Sequence, residues 1–140
     1  MRTIHCFIFV LLLMLAACGG QTEAPASVAD VNAEVLELPG DVDAQTVAAV
    51  KERDDVLVLD VREQWEYDAG HIPNITHIPM GEIQNRLNEI PTDKTVIITC
   101  QSGGRSSQIT NLLRENGYNN VHNMTGGIVS WQNSGLPVEK

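Results

Sequence analysis

The stretch VIITCQSGGRSSQITNLL, residues 96–113, contains a strand signal, a glycine-rich loop and a helix signal in succession. Residues 96–99 form a β-branched run that predicts a strand. Residues 106–116 have helical spacing, and Gly117 can end that helix in a left-handed conformation. A second apolar run, residues 56–59, is typical of a strand buried on both faces of a parallel sheet.

Apolar runs and amphipathic segments alternate along the rest of the chain. They predict further strands at residues 35–38, 76–78 and 120–122, and further helices at residues 42–52, 63–67, 80–90 and 127–132. This alternation predicts an α/β fold with a central, mostly parallel five-stranded sheet and helices on both faces. Ligands of such sheets bind beyond the carboxyl ends of the strands, and Cys100 lies at such an end.

The loop after residues 96–99 is suited to activating a thiol. Its backbone amides and the positive end of the following helix can converge on the Cys100 sulfur, which lowers a thiol pKa. Gly103 and Gly104 allow unusual backbone angles, and Arg105 carries donors suited to an oxyanion. The candidate site residues are the nucleophile Cys100 and the loop residues Gln101, Ser102, Gly103, Gly104, Arg105 and Ser106, with Ser106 and Ser107 also able to cap the helix. The alternative is a plain turn in which Cys100 is a small buried apolar residue.

The first eighteen residues differ in kind from the rest. Arg2 precedes an apolar run at residues 7–15 that is too short to span a bilayer, which is typical of a secretory signal. The end of the run, Leu15-Ala16-Ala17-Cys18-Gly19, resembles the lipobox of bacterial lipoproteins, in which the chain is cut before the cysteine and its thiol is lipidated. The alternatives are a plain signal peptide cleaved after Ala17 and a buried helix in which Cys18 occurs by chance.

On this interpretation the chain has three parts: a lipoprotein signal peptide at residues 1–17, the lipidated Cys18 with a flexible tether at residues 18–30, and a folded domain at residues 31–140. The tether is small and polar, so it cannot bury enough apolar surface to fold. The lipid would hold the domain on the periplasmic face of a bacterial cell envelope. Gly19 favours the outer membrane, and the inner membrane stays open.

Charge and cysteine count exclude several function classes. The formal net charge of -9 argues against a nucleic-acid partner. Cys6 leaves with the signal and Cys18 is taken by lipid, so Cys100 has no disulfide partner. A thiol–disulfide enzyme would want a resolving cysteine, and none is present.

Four motifs occur in order: Leu59-Asp60-Val61-Arg62-Glu63 with Trp65-Glu66-Tyr67; Gly70-His71-Ile72-Pro73 followed by Ile78-Pro79; Cys100-Gln101-Ser102-Gly103-Gly104-Arg105-Ser106; and Gly126-Gly127-Ile128 with Trp131. With these motifs the sequence resembles a single-domain rhodanese-like sulfurtransferase. The resemblance covers about residues 31–137.

The resemblance implies persulfide chemistry. Cys100 would take the outer sulfur of a donor such as thiosulfate and pass it, from a persulfide, to cyanide or a thiol acceptor. No metal or organic cofactor is needed. Arg62 would be either a substrate contact at the pocket mouth or a fold-supporting partner of Glu63, Glu66 or Asp60. Gln101 stands where many thiosulfate-using members have a basic residue, so thiosulfate, a persulfide and a polysulfide all stay open as donors.

Two rival functions remain. Phosphatases of this fold place five residues between cysteine and arginine, whereas four intervene between Cys100 and Arg105, which disfavours phosphate. Rhodanese-like domains also serve as non-catalytic binding or persulfide-carrier modules, but the inactive ones typically lose the cysteine that this chain retains.

Overall fold

The computed structural model describes residues 36–140, which belong to one compact unit. The predicted signal peptide, the lipidation site Cys18 and the tether lie outside the described residues. Within residues 36–140, no helix combines the length and the apolar character needed to cross a bilayer.

Strands and helices alternate along the described residues. The strands are β1 (Asp41–Val42), β2 (Val56–Asp60), β3 (Thr76–His77), β4 (Thr95–Thr99) and β5 (Val121–Met124). The α-helices are α1 (Ala44–Val50), α2 (Gln64–Ala69), α3 (Gly104–Glu115) and α4 (Gly127–Asn133), and two 3₁₀ helices occupy Met80–Asn85 and Leu87–Glu89.

All neighbouring strands pair in parallel, in the order β1-β5-β4-β2-β3. The predicted α/β fold is therefore confirmed. β4 is the central strand, and its side chains alternate between the two faces. Val96 and Ile98 pack in one core cluster with α3 and the first 3₁₀ helix, whereas Ile97 packs in the other with α1 and α4. This alternation explains why three successive residues of β4, Val96, Ile97 and Ile98, are all apolar.

The first predicted strand, at residues 35–38, is wrong over its described part, residues 36–38. Leu36 and Leu38 pack against the core outside any strand, and β1 begins only at Asp41. The reason is long-range pairing: β1 exists because it lies beside β5, where Gly40 O accepts a hydrogen bond from Asn123 N at 3.0 Å.

The single helix predicted at residues 80–90 is also wrong, because the segment forms two 3₁₀ helices. Each closes with a short-range bond, from Arg86 N to Ile83 O at 3.1 Å and from Ile90 N to Leu87 O at 3.1 Å. Gly81 near the start weakens α-helical propensity. The predicted apolar side is nevertheless correct, since Ile83 and Ile90 are buried in the core.

Candidate active site

Cys100 follows the last residue of β4, at the carboxyl edge of the sheet. Its sulfur accepts a hydrogen bond from Gly103 N at 3.1 Å and lies 3.4 Å from Ser106 Oγ. The residue is only 1% exposed. The loop therefore surrounds the thiol, as the sequence predicts. It also leaves the sulfur less accessible than a nucleophile that reacts with a substrate needs to be.

Burial and hydrogen bonding act on the thiol in opposite directions. Burial raises the pKa of Cys100, whereas the Ser106 hydroxyl and the backbone amides of Ser106, Ser102 and Gly103 lower it. The net effect is a pKa below the ordinary thiol value, because donors aimed at the sulfur stabilise the thiolate.

The sequence predicts unusual backbone angles at Gly103 and Gly104, and the structure has them only at Gly103. Gly103 has φ +95° and is the N-cap of α3, which turns its amide towards the sulfur. A Cβ at this residue would lie 3.0 Å from Gly126 N. Gly104 has no positive φ and begins α3 in an ordinary conformation, so the expectation for Gly104 is wrong.

Ser106 does not cap the helix, which corrects a second expectation. It lies inside the first turn of α3, fully buried, and its Oγ is 2.7 Å from Asn123 Oδ1 and 3.1 Å from Gly103 O. Asn123 in turn donates from Nδ2 to Asp41 Oδ1 at 2.8 Å. This bond fixes the amide so that Asn123 presents its oxygen to Ser106. The single hydroxyl proton of Ser106 therefore has three acceptors within reach: Asn123 Oδ1, Gly103 O and the Cys100 sulfur.

Arg105 is bound by a carboxylate. Its two terminal nitrogens donate to the two oxygens of Glu66 at 2.6 and 2.7 Å. The hydrogen bonds from Arg105 lower the pKa of Glu66 from 4.5 to about 2. Glu66 also accepts a bond from Glu63 N in the capping box of α2. Arg105, which was predicted to face an oxyanion, is thus neutralised by Glu66. This ion pair connects the active loop to α2.

Arg62 is also internally paired. Its side chain is 3% exposed, and its Nε bonds both carboxylate oxygens of Asp60, at 3.1 and 2.9 Å. The other guanidinium nitrogens donate to Glu66 O at 3.2 Å and Gly70 O at 2.9 Å. Asp60 also accepts the Arg62 amide at 2.9 Å. These bonds favour the fold-supporting role for Arg62 over the substrate contact.

The start of α4 lies directly against the backbone at Cys100. Ile128 N donates to Cys100 O at 2.8 Å, and Val129 N donates to Gln101 O at 3.2 Å. Gly127, with φ +54°, makes this approach possible, since a Cβ there would lie 2.3 Å from Cys100 O. The Gly126-Gly127 pair is therefore part of the site.

A cleft of about 450 Å³ adjoins the loop. Gln101 and Ile128 form its boundary next to Cys100, and Trp65 forms an exposed wall. The lining residues are Arg62, Trp65, Glu66, Ala69, Gly70, Gln101, Ile128 and Gln132.

The structure brings together most of the predicted loop. Ser102, Gly103 and Ser106 contribute donors to the sulfur, Gln101 lines the cleft, and Arg105 binds Glu66. Sequence reasoning missed the Asn123–Asp41 pair. The available signal for this pair was an amide residue inside the short, largely buried strand β5.

Comparison with known proteins agrees with this architecture. The profile of the family described as "Rhodanese-like domain" matches residues 43–134. The chain belongs to this family. It is 38% identical over 99 residues to a protein named "Sulfurtransferase" from Allochromatium vinosum, covering 70% of this chain and 92% of that relative. It is also 33% identical over 89 residues to "Thiosulfate sulfurtransferase GlpE" from Pseudoalteromonas translucida, covering 64% and 84% of the two chains.

A solved structure has the same fold. The rhodanese-related protein from Thermoplasma volcanium superposes with a TM-score of 0.66 at 31% identity, covering 72% of this chain and 98% of that one. Nearly the whole of a separate protein thus corresponds to the compact unit described here. The chain from Thermoplasma volcanium, which this domain covers almost completely, thus forms the fold without a further domain.

Proposed function

We propose that this protein is a rhodanese-type sulfurtransferase that carries sulfane sulfur on Cys100. It takes the sulfur from a small donor such as thiosulfate and delivers it to cyanide or a thiol acceptor. The observation that supports this most directly is the Cys100 sulfur at the carboxyl edge of the sheet, accepting the Gly103 amide at 3.1 Å inside a loop that lowers its pKa. The names of the relatives point to the same chemistry.

The transfer takes place in two displacements. The Cys100 thiolate attacks the outer sulfur of the donor, the S–S bond of the donor breaks, and its electron pair leaves with sulfite when the donor is thiosulfate. The acceptor then attacks the terminal sulfur of the persulfide, and the electron pair returns to Cys100. The amides that hold the thiolate also stabilise the persulfide anion, so a separate general base is unnecessary.

Burial of the thiol places a condition on this function. Because Cys100 is 1% exposed, a donor reaches the sulfur only when the loop at residues 101–103 shifts outward. Gln101 and Ser102 are exposed, so the solvent side of the loop is not packed against other residues.

The test is mass spectrometry of a fragment comprising residues 31–140, in which Cys100 is the sole cysteine. Exposure to thiosulfate should add one sulfur atom to Cys100, and cyanide should remove it and release thiocyanate. The Cys100→Ala variant is the matched control and should gain nothing. Unmodified thiol after thiosulfate, polysulfide and an organic thiosulfonate would rule out the enzyme.

The same burial favours a second candidate, a non-catalytic binding or persulfide-carrier module. A carrier protects its persulfide and releases it only to a partner that opens the loop. The two functions differ when excess donor and cyanide are both present: an enzyme releases thiocyanate continuously, whereas a carrier that opens only to its partner keeps its persulfide and releases no thiocyanate.

We also propose that Cys18 anchors the domain by lipid on the periplasmic face of the bacterial cell envelope. This rests on the Leu15-to-Gly19 pattern and the preceding apolar run. The full chain expressed in a bacterium should incorporate labelled fatty acid and fractionate with membranes. The Cys18→Ser variant should do neither. Equal labelling of both chains would overturn the anchor.

A further inference from the structure

Both cations near Cys100 are neutralised by carboxylates. Arg105 is held by two short bonds to Glu66, and Arg62 is held by Asp60 in a pair that is almost fully buried. Within the described residues, no Lys or further Arg lines the adjoining cleft. A doubly charged donor therefore meets no free positive charge there, on a chain whose formal net charge is -9.

The cleft instead offers apolar and amide surface. Trp65 is 72% exposed, the most exposed of the large apolar side chains described. Ala69 and Ile128 extend the apolar wall, and Gln101 and Gln132 supply amide groups. An exposed indole beside a neutral cleft favours a ligand with an aromatic or other apolar body, because such a body stacks on the ring and removes both surfaces from water.

We propose that the preferred sulfur donor is a singly charged sulfane-sulfur compound with an apolar organic substituent, and that Trp65 determines this specificity by packing against the substituent. The inference rests on the proposed sulfurtransferase function and names its substrate class. Trp65 lies on α2. Glu66 on the same helix pairs with Arg105 of the active loop, so the position of the indole is fixed relative to the Cys100 sulfur.

A matched pair of probes isolates this property. Benzenethiosulfonate and thiosulfate both present an outer sulfur on a sulfonyl sulfur, but the first has a phenyl group where the second has a charged oxygen. With benzenethiosulfonate, the Cys100 thiolate forms a bond to the outer sulfur. The S–S bond of the probe breaks, and benzenesulfinate leaves with the electron pair. With thiosulfate, the same step releases sulfite. Atoms and charge balance in both reactions.

The experiment measures thiocyanate release from the fragment at residues 31–140 with cyanide as the acceptor. We expect a higher kcat/KM for benzenethiosulfonate than for thiosulfate. The Trp65→Ala variant should lower the ratio of the two kcat/KM values by about tenfold, the loss expected for one aromatic contact. Trp65→Phe should recover most of the ratio. Val138→Ala removes another exposed apolar side chain, outside the cleft, and should leave the ratio unchanged.

The outcomes distinguish a failure of this inference from a failure of the proposed sulfurtransferase function. Equal kcat/KM values for the two donors, or a preference of the unchanged fragment for thiosulfate, overturn the substrate class and the role of Trp65 but not the sulfurtransferase function. A Trp65→Ala ratio equal to that of the unchanged fragment overturns the role of Trp65. Failure of both donors to yield a persulfide or thiocyanate overturns the sulfurtransferase function, and the inference with it.

Discussion

The most direct test of the packing of α4 against the active loop is the Gly127→Ala variant, with Gly135→Ala as its control. Both glycines have positive φ, +54° and +71°. A Cβ at Gly127 would lie 2.3 Å from Cys100 O and 2.6 Å from Gln101 C, which are backbone atoms held by α4. A Cβ at Gly135 meets nothing within 4 Å. The two variants therefore share the conformational cost and differ in the steric one.

The magnitudes follow from this difference. Placing alanine in the left-handed region costs about 1–2 kcal/mol, which is the whole expected loss for Gly135→Ala. Gly127→Ala adds a clash with rigid backbone, about 1–3 kcal/mol or more by analogy with overpacked cores. Its total of about 2–5 kcal/mol lowers Tm by at least about 8 °C in a domain of this size.

Urea denaturation of the fragment at residues 31–140, followed by circular dichroism, gives both free energies of unfolding. We expect Gly127→Ala to lose about 1–3 kcal/mol more than Gly135→Ala, since only the first displaces the Cys100 carbonyl. It should also slow sulfur transfer, whereas Gly135→Ala should not. Equal losses in the two variants would refute the claim that α4 packs against the backbone of the active loop.

Three further predictions concern single side chains. In Glu66→Gln, the loss in free energy of unfolding should be at most about 3 kcal/mol above pH 5, since solvent screens the partly exposed Arg105. The loss should shrink as the pH falls towards 2, because the ion pair with Arg105 stabilises the fold only while the Glu66 carboxylate is ionised; a loss independent of pH in urea titrations would contradict the Arg105 pairing. Ser106→Ala should raise the pKa of Cys100, measured from the pH dependence of alkylation, since a donor to the thiolate is removed; an unchanged pKa would mean that the hydroxyl serves only Asn123 and Gly103. Gln101→Lys should increase kcat/KM for thiosulfate by supplying a cation to the cleft; an unchanged value would show that charge does not limit use of this donor.

The sequence was most informative where the local structure depends on residues that are close together in the chain. A continuous apolar run predicted β2 and a β-branched run predicted β4, and the placement of Cys100 at a strand end followed from the second. Gly117 has φ +90° and ends α3, as its position after a helical pattern indicates. These features depend on local backbone preference and on burial from both faces of the sheet.

The features that sequence reasoning missed depend on residues far apart in the chain. Glu66 and Arg105 are 39 positions apart, and Asn123 and Asp41 are 82 apart. Strand β1 has two residues, and its existence depends on pairing with β5. Local hydrophobic periodicity carries no information about such partners, so the Glu66 carboxylate could be assigned to several cations equally well.

These long-range contacts imply that the reactivity of Cys100 is a property of the whole fold. Glu66 on α2 holds the loop from one direction, Asn123 on β5 holds Ser106 from another, and the amide of Ile128 on α4 fixes the Cys100 carbonyl. The loop sequence alone supplies the donors but none of these three restraints. We therefore expect residues 96–113 grafted onto an unrelated parallel strand to form a strand, a turn and a helix without lowering the pKa of the thiol.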